Sequence, residues 1–157
     1  PLFEQFGAYL TATGYQAQCG QIVDATLVPV PKQRNSRDDN ATLKAGKVPD
    51  DWQDQPHKLA QKDIDARWTK KNGTSHYGHK NHINRDAGHG FIRRYTVTEA
   101  SVHDSKVLGQ LLDADNTDDE LWADSAYLSI AIVTVLEMMG FESHINERAY
   151  RNRPLSE

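Results

Sequence analysis

The apolar positions of this chain repeat with helical spacing in some segments and with strand spacing in others. Helical spacing of large apolar side chains predicts a helix over residues 3–13, and Gly14 provides a stop after it. Residues 21–30 form a β-rich run that ends in prolines and predict a strand. Residues 32–74 are polar and have little periodicity, which predicts a long insertion with a short helix at 58–64.

Strands and helices alternate in the second half of the chain. The predicted elements are strands at 75–83 and 90–99 with a turn at 84–88 between them, a helix at 104–112 capped by His103 or Asp104, a strand at 120–123, a helix at 129–139 and a strand at 141–145. This order is typical of a mixed α/β fold.

The composition limits the class of protein. With 157 residues, 38% of them hydrophobic, the chain fits one domain with its own core. No stretch approaches the ~18 consecutive apolar residues of a membrane span, and no signal peptide opens the sequence. Cys19 is the only cysteine, so an internal disulfide is impossible and a cytosolic setting is the default. The chain starts at Pro1 and ends in a polar segment at Glu157, and we interpret it as a fragment of a longer protein.

Charge is distributed unevenly along the chain although its net value is only −4. Residues 62–94 carry eight basic residues against three acids, whereas residues 113–124 carry six acids and no base. Such segregation suits a protein with one surface that faces phosphates and another that does not. Two solvated faces of opposite sign are an equally good interpretation.

Two aspartates lie in apolar runs that we predict to be buried strands. Asp24 is inside the strand at 21–30, and Asp124 closes the strand at 120–123. A carboxylate in a core strand is costly to desolvate unless it is paired, and a divalent metal is one possible partner. Because ligand sites gather at the carboxyl ends of parallel strands, the two side chains could share magnesium or manganese. The alternative is that each aspartate accepts backbone hydrogen bonds in a turn.

Four segments of the chain match the motifs of one protein family in both order and spacing. The segments are Gln21–Thr26, His76–His82, Thr98–Ser105 and Leu121–Tyr127. They resemble the two aspartate motifs, the second strand and the helix start of bacterial insertion-sequence transposases of the DDE class. The nearest subgroup is the one named after insertion sequence five, and the resemblance covers nearly the whole chain.

The resemblance implies a ribonuclease-H-like mixed sheet flanked by helices, with the polar insertion 32–74 after the first strand. Residues 1–157 would form a single incomplete catalytic domain in which Asp24 and Asp124 are catalytic ligands of magnesium or manganese. The implied reaction cuts and joins double-stranded DNA at terminal inverted repeats and a target site. The implied protein is a homo-oligomer when full length and is associated with the bacterial nucleoid in the cytoplasm.

The third acidic ligand of the family lacks a clear match in this chain. Tyr150, Arg153 and Glu157 reproduce a tyrosine–arginine–glutamate spacing seen in related transposases, which makes Glu157 a candidate. Pro154 suits the first turn of a helix and would place Glu157 near a helix start. The alternative is that Glu157 is incidental, in which case the chain holds an incomplete active site.

Several basic residues are candidates for DNA contact. They are Lys70, Lys71, His79, Lys80, Arg85 and Arg153. His79 lies on the predicted second strand with His76 and His82 on its other face, which argues against a three-histidine zinc site. Lys80 could equally be a solvated edge lysine. Two hypotheses follow for the chain, namely an active transposase core or a catalytically dead remnant that binds DNA or full-length transposase.

Overall fold

The described part of the chain forms six strands and six α-helices in a mixed α/β arrangement, which confirms the predicted fold class. The computed structural model describes residues 2–147. In chain order the elements are α1 (Leu2–Ala12), β1 (Gln21–Pro29), α2 (Arg37–Lys44), α3 (Asp50–Gln53), α4 (Pro56–Leu59), β2 (Arg67–Lys71), β3 (Thr74–Asp86), β4 (Ile92–Glu99), α5 (Leu108–Leu111), β5 (Glu120–Ala123), α6 (Ile130–Met138) and β6 (Glu142–Ile145). No helix within 2–147 is long and apolar enough to cross a membrane.

The six strands form one sheet in the order β2-β3-β1-β5-β6, with β4 paired to β3 beside that path. Two compact units share the chain. Among the described residues, the first unit contains 2–26, 81–97 and 103–147, and the second contains 27–80 and 98–102. Strands β1, β3 and β4 each contribute residues to both units.

Parallel pairing organises the first unit. Strand β1 pairs with β5 so that Gln21 lies opposite Leu121 and Val23 opposite Ala123. All four side chains are buried, because alternate residues of a strand point to the same face of the sheet. Strand β5 also pairs in parallel with β6, where Leu136 of α6 and the end of β6 add to the apolar core. The core therefore fixes the register of the first strand.

A buried polar network holds the start of β1. The side-chain oxygen of Gln21 accepts hydrogen bonds from Asn84 Nδ2 at 2.5 Å and from the Asp113 amide at 2.8 Å. Asn84 Nδ2 also donates to the Leu111 carbonyl, and the Gln21 side-chain amide donates to the Asp113 carbonyl. Gln21, Asn84 and Asp113 are all buried. Since an unpaired polar group in a core is costly, these bonds specify one position for β1.

The second unit shows that the prediction of a largely irregular insertion over 32–74 was wrong. This segment contains α2, α3, α4 and β2. Ser36 forms a capping box with Asp39 at the start of α2, a pattern of short polar residues that periodicity alone does not detect. The helix predicted at 58–64 is instead α4, which begins at Pro56 because proline fits the first helical turn.

Trp52 is the largest fully buried side chain of this small unit. Its side chain is buried, and Lys58 and Lys62 place their ammonium groups 5.6 Å and 4.6 Å from its ring centroid. The methylene groups of the two lysine side chains cover the indole ring and shield it from water. A small local core of this kind explains how the polar segment 32–74 folds.

Two elements of the second half of the chain differ from the sequence expectation by more than the trimming of their ends. Strand β3 continues to Asp86 instead of ending at residue 83, because Asn84 and Asp86 are buried and hydrogen-bonded rather than part of a turn. The helix expected at 104–112 is a 3₁₀ turn at Asp104–Val107 followed by the short α5. His103 caps this turn by accepting a hydrogen bond from the Ser105 amide, which confirms one of its two predicted caps.

Gly78 lies where two strands of the second unit approach closely. Its φ of +152° is in the region that favours glycine, and a Cβ at this position would overlap the Val28 carbonyl oxygen. The same Cβ would lie 3.0 Å from both Pro29 Cα and Val30 N. The neighbouring atoms are backbone and cannot move away separately, so the strand pairing requires glycine here.

We therefore expect Gly78→Ala to lower the free energy of unfolding by at least about 2 kcal/mol. Gly7→Ala is the control, because Gly7 lies in α1 with open space around its Cα and should gain up to about 1 kcal/mol in helix propensity. Urea unfolding of both variants gives the two values. Equal stability of Gly78→Ala and the wild type would contradict this packing.

Candidate active site

The register of β1 and β5 places the two candidate aspartates next to each other. Val23 is paired with Ala123, so one further residue along each strand sets Asp24 opposite Asp124. Paired residues of neighbouring strands lie about 5 Å apart. Both aspartates leave the core face. Asp124 directly follows the carboxyl end of β5, the edge at which open α/β sheets hold ligands, and Asp24 lies within the neighbouring strand β1. The sheet thus brings residues 100 positions apart in sequence onto neighbouring strands.

Each aspartate is anchored through one carboxylate oxygen. Asp24 Oδ1 accepts a hydrogen bond from the Ala25 amide at 2.7 Å, and Asp124 Oδ1 accepts one from the Ala126 amide at 2.8 Å. Both side chains are exposed, although their strands are buried. The expectation that these carboxylates are buried inside core strands was therefore wrong. The side chains buried at this point of the two strands are those of Val23 and Ala123.

Tyr127 lies beneath this acidic site. Asp124 caps the 3₁₀ turn Ser125–Tyr127, which folds the tyrosine back toward the strand end. The ring is 1% exposed, and its hydroxyl has no hydrogen-bond partner in the described part of the protein. Burial raises the pKa of Tyr127, and the negative charges of Asp104, Asp124 and Asp24 raise it further. The phenol is thus a neutral group within electrostatic reach of three carboxylates.

Sequence analysis missed both Asp104 and Tyr127 as members of this site. We interpreted Asp104 only as part of a helix cap, and Tyr127 only as part of a family motif. Asp104 and Tyr127 come within electrostatic reach of each other because the turn at Asp104–Val107 packs near the turn at Ser125–Tyr127. The only signal in the sequence was their position, since Asp104 lies inside the segment Thr98–Ser105 and Tyr127 ends the segment Leu121–Tyr127.

The side chains present fit a hard divalent cation. Neither Asp24 nor Asp124 forms an ion pair with any residue in 2–147, and the buried hydroxyl of Tyr127 beside them lacks a protein partner. Magnesium and manganese prefer carboxylate oxygens and retain several waters, which suits two exposed aspartates on adjacent strands. The pair can therefore hold such an ion.

The candidate DNA-binding residues lie in different surroundings. In the second unit Lys70 and Lys71 are exposed at the end of β2, whereas His79 shares a 2.8 Å hydrogen bond with Asp63 and Lys80 donates to the Val102 carbonyl. In the first unit Arg85 is exposed on β3. Arg153 and the candidate third acid, Glu157, lie outside the described residues.

Some of the basic residues that suggested a phosphate-facing surface are used inside their own unit. Arg93 Nε lies 3.1 Å and Arg94 3.4 Å from the buried carboxylate of Asp113. Arg67 forms a 3.1 Å ion pair with Glu99. The excess of basic residues over 62–94 is thus partly structural, which sequence composition cannot distinguish from a binding surface.

The chain is similar to known proteins over nearly its whole length. A family model described as the transposase DDE domain matches residues 15–157. The chain is 32% identical over 158 residues to the transposase for insertion sequence element IS1106 of Neisseria meningitidis serogroup B. That alignment covers 99% of the chain and 52% of the relative, so the chain spans about half the length of this curated relative. No solved structure is significantly similar to the chain.

The unpartnered hydroxyl of Tyr127 leads to a stability prediction. In metal-free buffer, Tyr127→Phe should leave the free energy of unfolding within about 1 kcal/mol of the wild type, because it removes a buried polar atom that has no protein partner. Tyr127→Ala should cost about 3–5 kcal/mol, since it removes a buried ring. Urea unfolding in the presence of a chelator measures both. Similar large losses in the two variants would show that the hydroxyl makes a hydrogen bond.

Proposed function

The chain belongs to the transposase DDE domain family, as the four sequence motifs indicated, and on that premise we propose that it carries two of the catalytic aspartates of an insertion-sequence transposase. The proposed reaction is cleavage and joining of DNA strands by transfer of a phosphodiester. The observation that supports the proposal is the parallel register of β1 and β5, in which the pair Val23–Ala123 immediately precedes Asp24 and Asp124.

Asp24 and Asp124 are the proposed metal ligands. The family acts with divalent metal ions, and magnesium or manganese bound here would activate the attacking oxygen and neutralise charge on the leaving oxygen. Each carboxylate has one oxygen fixed by a backbone amide, so the side chains are oriented before any ion binds. Such orientation reduces the entropy that ligand binding would otherwise cost.

A buried phenol accompanies the aspartate pair. Tyr127 stays protonated because its pKa is raised by burial and by the neighbouring carboxylates, so it adds no negative charge to the site. A neutral phenol can donate a hydrogen bond to an oxygen in the site. Tyr127 is therefore proposed as a positioning residue beneath the aspartate pair.

The proposed substrate is double-stranded DNA. Lys70 and Lys71 are exposed at the hairpin end of β2, where long flexible cations can contact phosphates, and Arg85 is an exposed cation of the first unit. His79 and Lys80 also remain candidates, although each already contacts a neighbour within its own unit. The relative's name, a transposase for an insertion sequence, supports a DNA substrate. Glu157 is kept as the candidate third acid.

Asp24→Asn and Asp124→Asn test the metal site. Each substitution keeps the shape of the side chain but removes a charged oxygen ligand, so we expect manganese affinity to fall at least about tenfold in either variant with the fold intact. Isothermal titration with manganese measures the affinity, and circular dichroism reports the fold. Asp119→Asn is the matched control, because Asp119 is an exposed aspartate of the same unit. Unchanged affinity in Asp24→Asn or Asp124→Asn would contradict the proposed site.

Lys70→Gln with Lys71→Gln tests the role of these lysines in DNA binding. The double variant should bind a short DNA duplex more weakly, and its plot of log affinity against log salt should be shallower by about 0.9 for each phosphate that the protein no longer neutralises. Lys47→Gln, an exposed lysine of the same unit, should leave the slope unchanged. An unaltered slope in the double variant would exclude these two lysines as phosphate ligands. DNA binding without any manganese binding in the wild type would favour the catalytically dead remnant.

A further inference from the structure

Three side chains with metal-ligating atoms meet at a second place in the first unit. Cys19 lies just before β1, Asp86 ends β3, and His89 lies in the turn that leads to β4. One ligating atom from each of the three lies within 4.8 Å of the others. Cys19 and Asp24 are separated by five residues, roughly 16 Å of extended chain, so this cluster is separate from the aspartate pair.

Asp86 is the buried centre of the cluster. Its side chain is 0% exposed, its Oδ1 accepts the Cys19 amide at 2.6 Å, and its Oδ2 accepts the His89 amide. The imidazole Nδ1 of His89 lies 3.0 Å from the same Oδ2. Burial alone would raise the pKa of Asp86, but these hydrogen bonds lower it on balance, so the carboxylate is charged at neutral pH. The side chains of Cys19 and His89 therefore lie beside the buried carboxylate of Asp86.

The backbone around the cluster is shaped to bring the turn against Cys19. A Cβ on Gly88 would lie 2.8 Å from Cys19 Cβ and 3.4 Å from its Sγ, so only glycine allows this approach. The Ala87 amide donates to the Gly20 carbonyl, and the Gly90 amide donates to the Asp86 carbonyl. The segment before β1 and the β3–β4 turn are thus held together before any ligand binds.

We propose that Cys19, Asp86 and His89 form a binding site for zinc or a similar borderline divalent cation. Thiolate, imidazole and carboxylate are the ligands of zinc in proteins, whereas magnesium and manganese seldom take a thiolate. On binding, a neutral His89 carries its ring proton on Nε2 so that Nδ1 can coordinate the cation, and the thiol proton of Cys19 is released to solvent. Because Cys19 and His89 are both exposed, a fourth coordination position is open to water. The bound ion ties the beginning of β1 to the β3–β4 turn.

Cobalt provides a selective test, because cobalt bound to a thiolate gives a charge-transfer absorption that cobalt bound to imidazoles or carboxylates does not give. Cys19 is the only cysteine, so that absorption reports this site alone. Chelator-treated chain, kept reduced by a phosphine, is titrated with cobalt and then with zinc. We expect the absorption to appear with cobalt and to disappear when zinc replaces it.

Variants separate the site from chance binding. Cys19→Ser should abolish the absorption, and His89→Gln should weaken cobalt binding at least about tenfold. His57→Gln, which changes an exposed histidine outside the cluster, should leave the absorption unchanged. Asp24→Asn should also leave the absorption unchanged. Zinc should raise the melting temperature of the wild type but not of Cys19→Ser, since a ligand that binds only the folded state stabilises it. No absorption in the wild type, or equal affinity in His89→Gln, would overturn the proposal without affecting the proposed aspartate site.

Discussion

The parallel pairing of β1 with β5 is the constraint on which the candidate active site depends. Three paired positions bury Gln21, Val23 and their partners and leave no freedom to shift the strand, because a shift by one residue would turn every buried side chain to the opposite face. Asp24 and Asp124 each follow the last of these pairs by one residue. The placement of the two candidate ligands thus follows from a packing constraint that concerns only apolar and amide side chains.

Buried polar groups give the same strand its position along the sheet. Gln21 bonds to Asn84 and Asp113, and the two arginines of β4 neutralise Asp113. Removing one partner would leave the others buried and unpaired, which costs more than the bonds themselves contribute. Part of the acidic segment that includes Asp113 therefore stabilises the fold. The charge of this segment does not by itself indicate a single functional surface.

Local pattern predicted the elements whose stability is local. Strand β5 was predicted with its observed bounds. Strand β1 differs from its expected bounds by one residue at one end, and α6 by one residue at each end, because apolar period and flanking glycine or proline define these two elements. The segment 32–74 was predicted poorly because its helices are only four to eight residues long and its largest buried side chain is a tryptophan covered by lysine stems. Exposure of Asp24 and Asp124 was also missed, since a strand with a buried face gives no indication of what covers its other face.

The sequence by itself determined the family, the mixed α/β class and the identity of the two aspartates, because short motifs and periodicity are properties of neighbouring residues. Tertiary structure alone decided that these aspartates share one edge, that Tyr127 lies beneath them, and that Cys19, Asp86 and His89 meet elsewhere. Those groups are far apart in the chain, with Cys19 and Asp86 67 positions from each other. Strand pairing and the close approach allowed by glycine bring them together, and no local pattern encodes either.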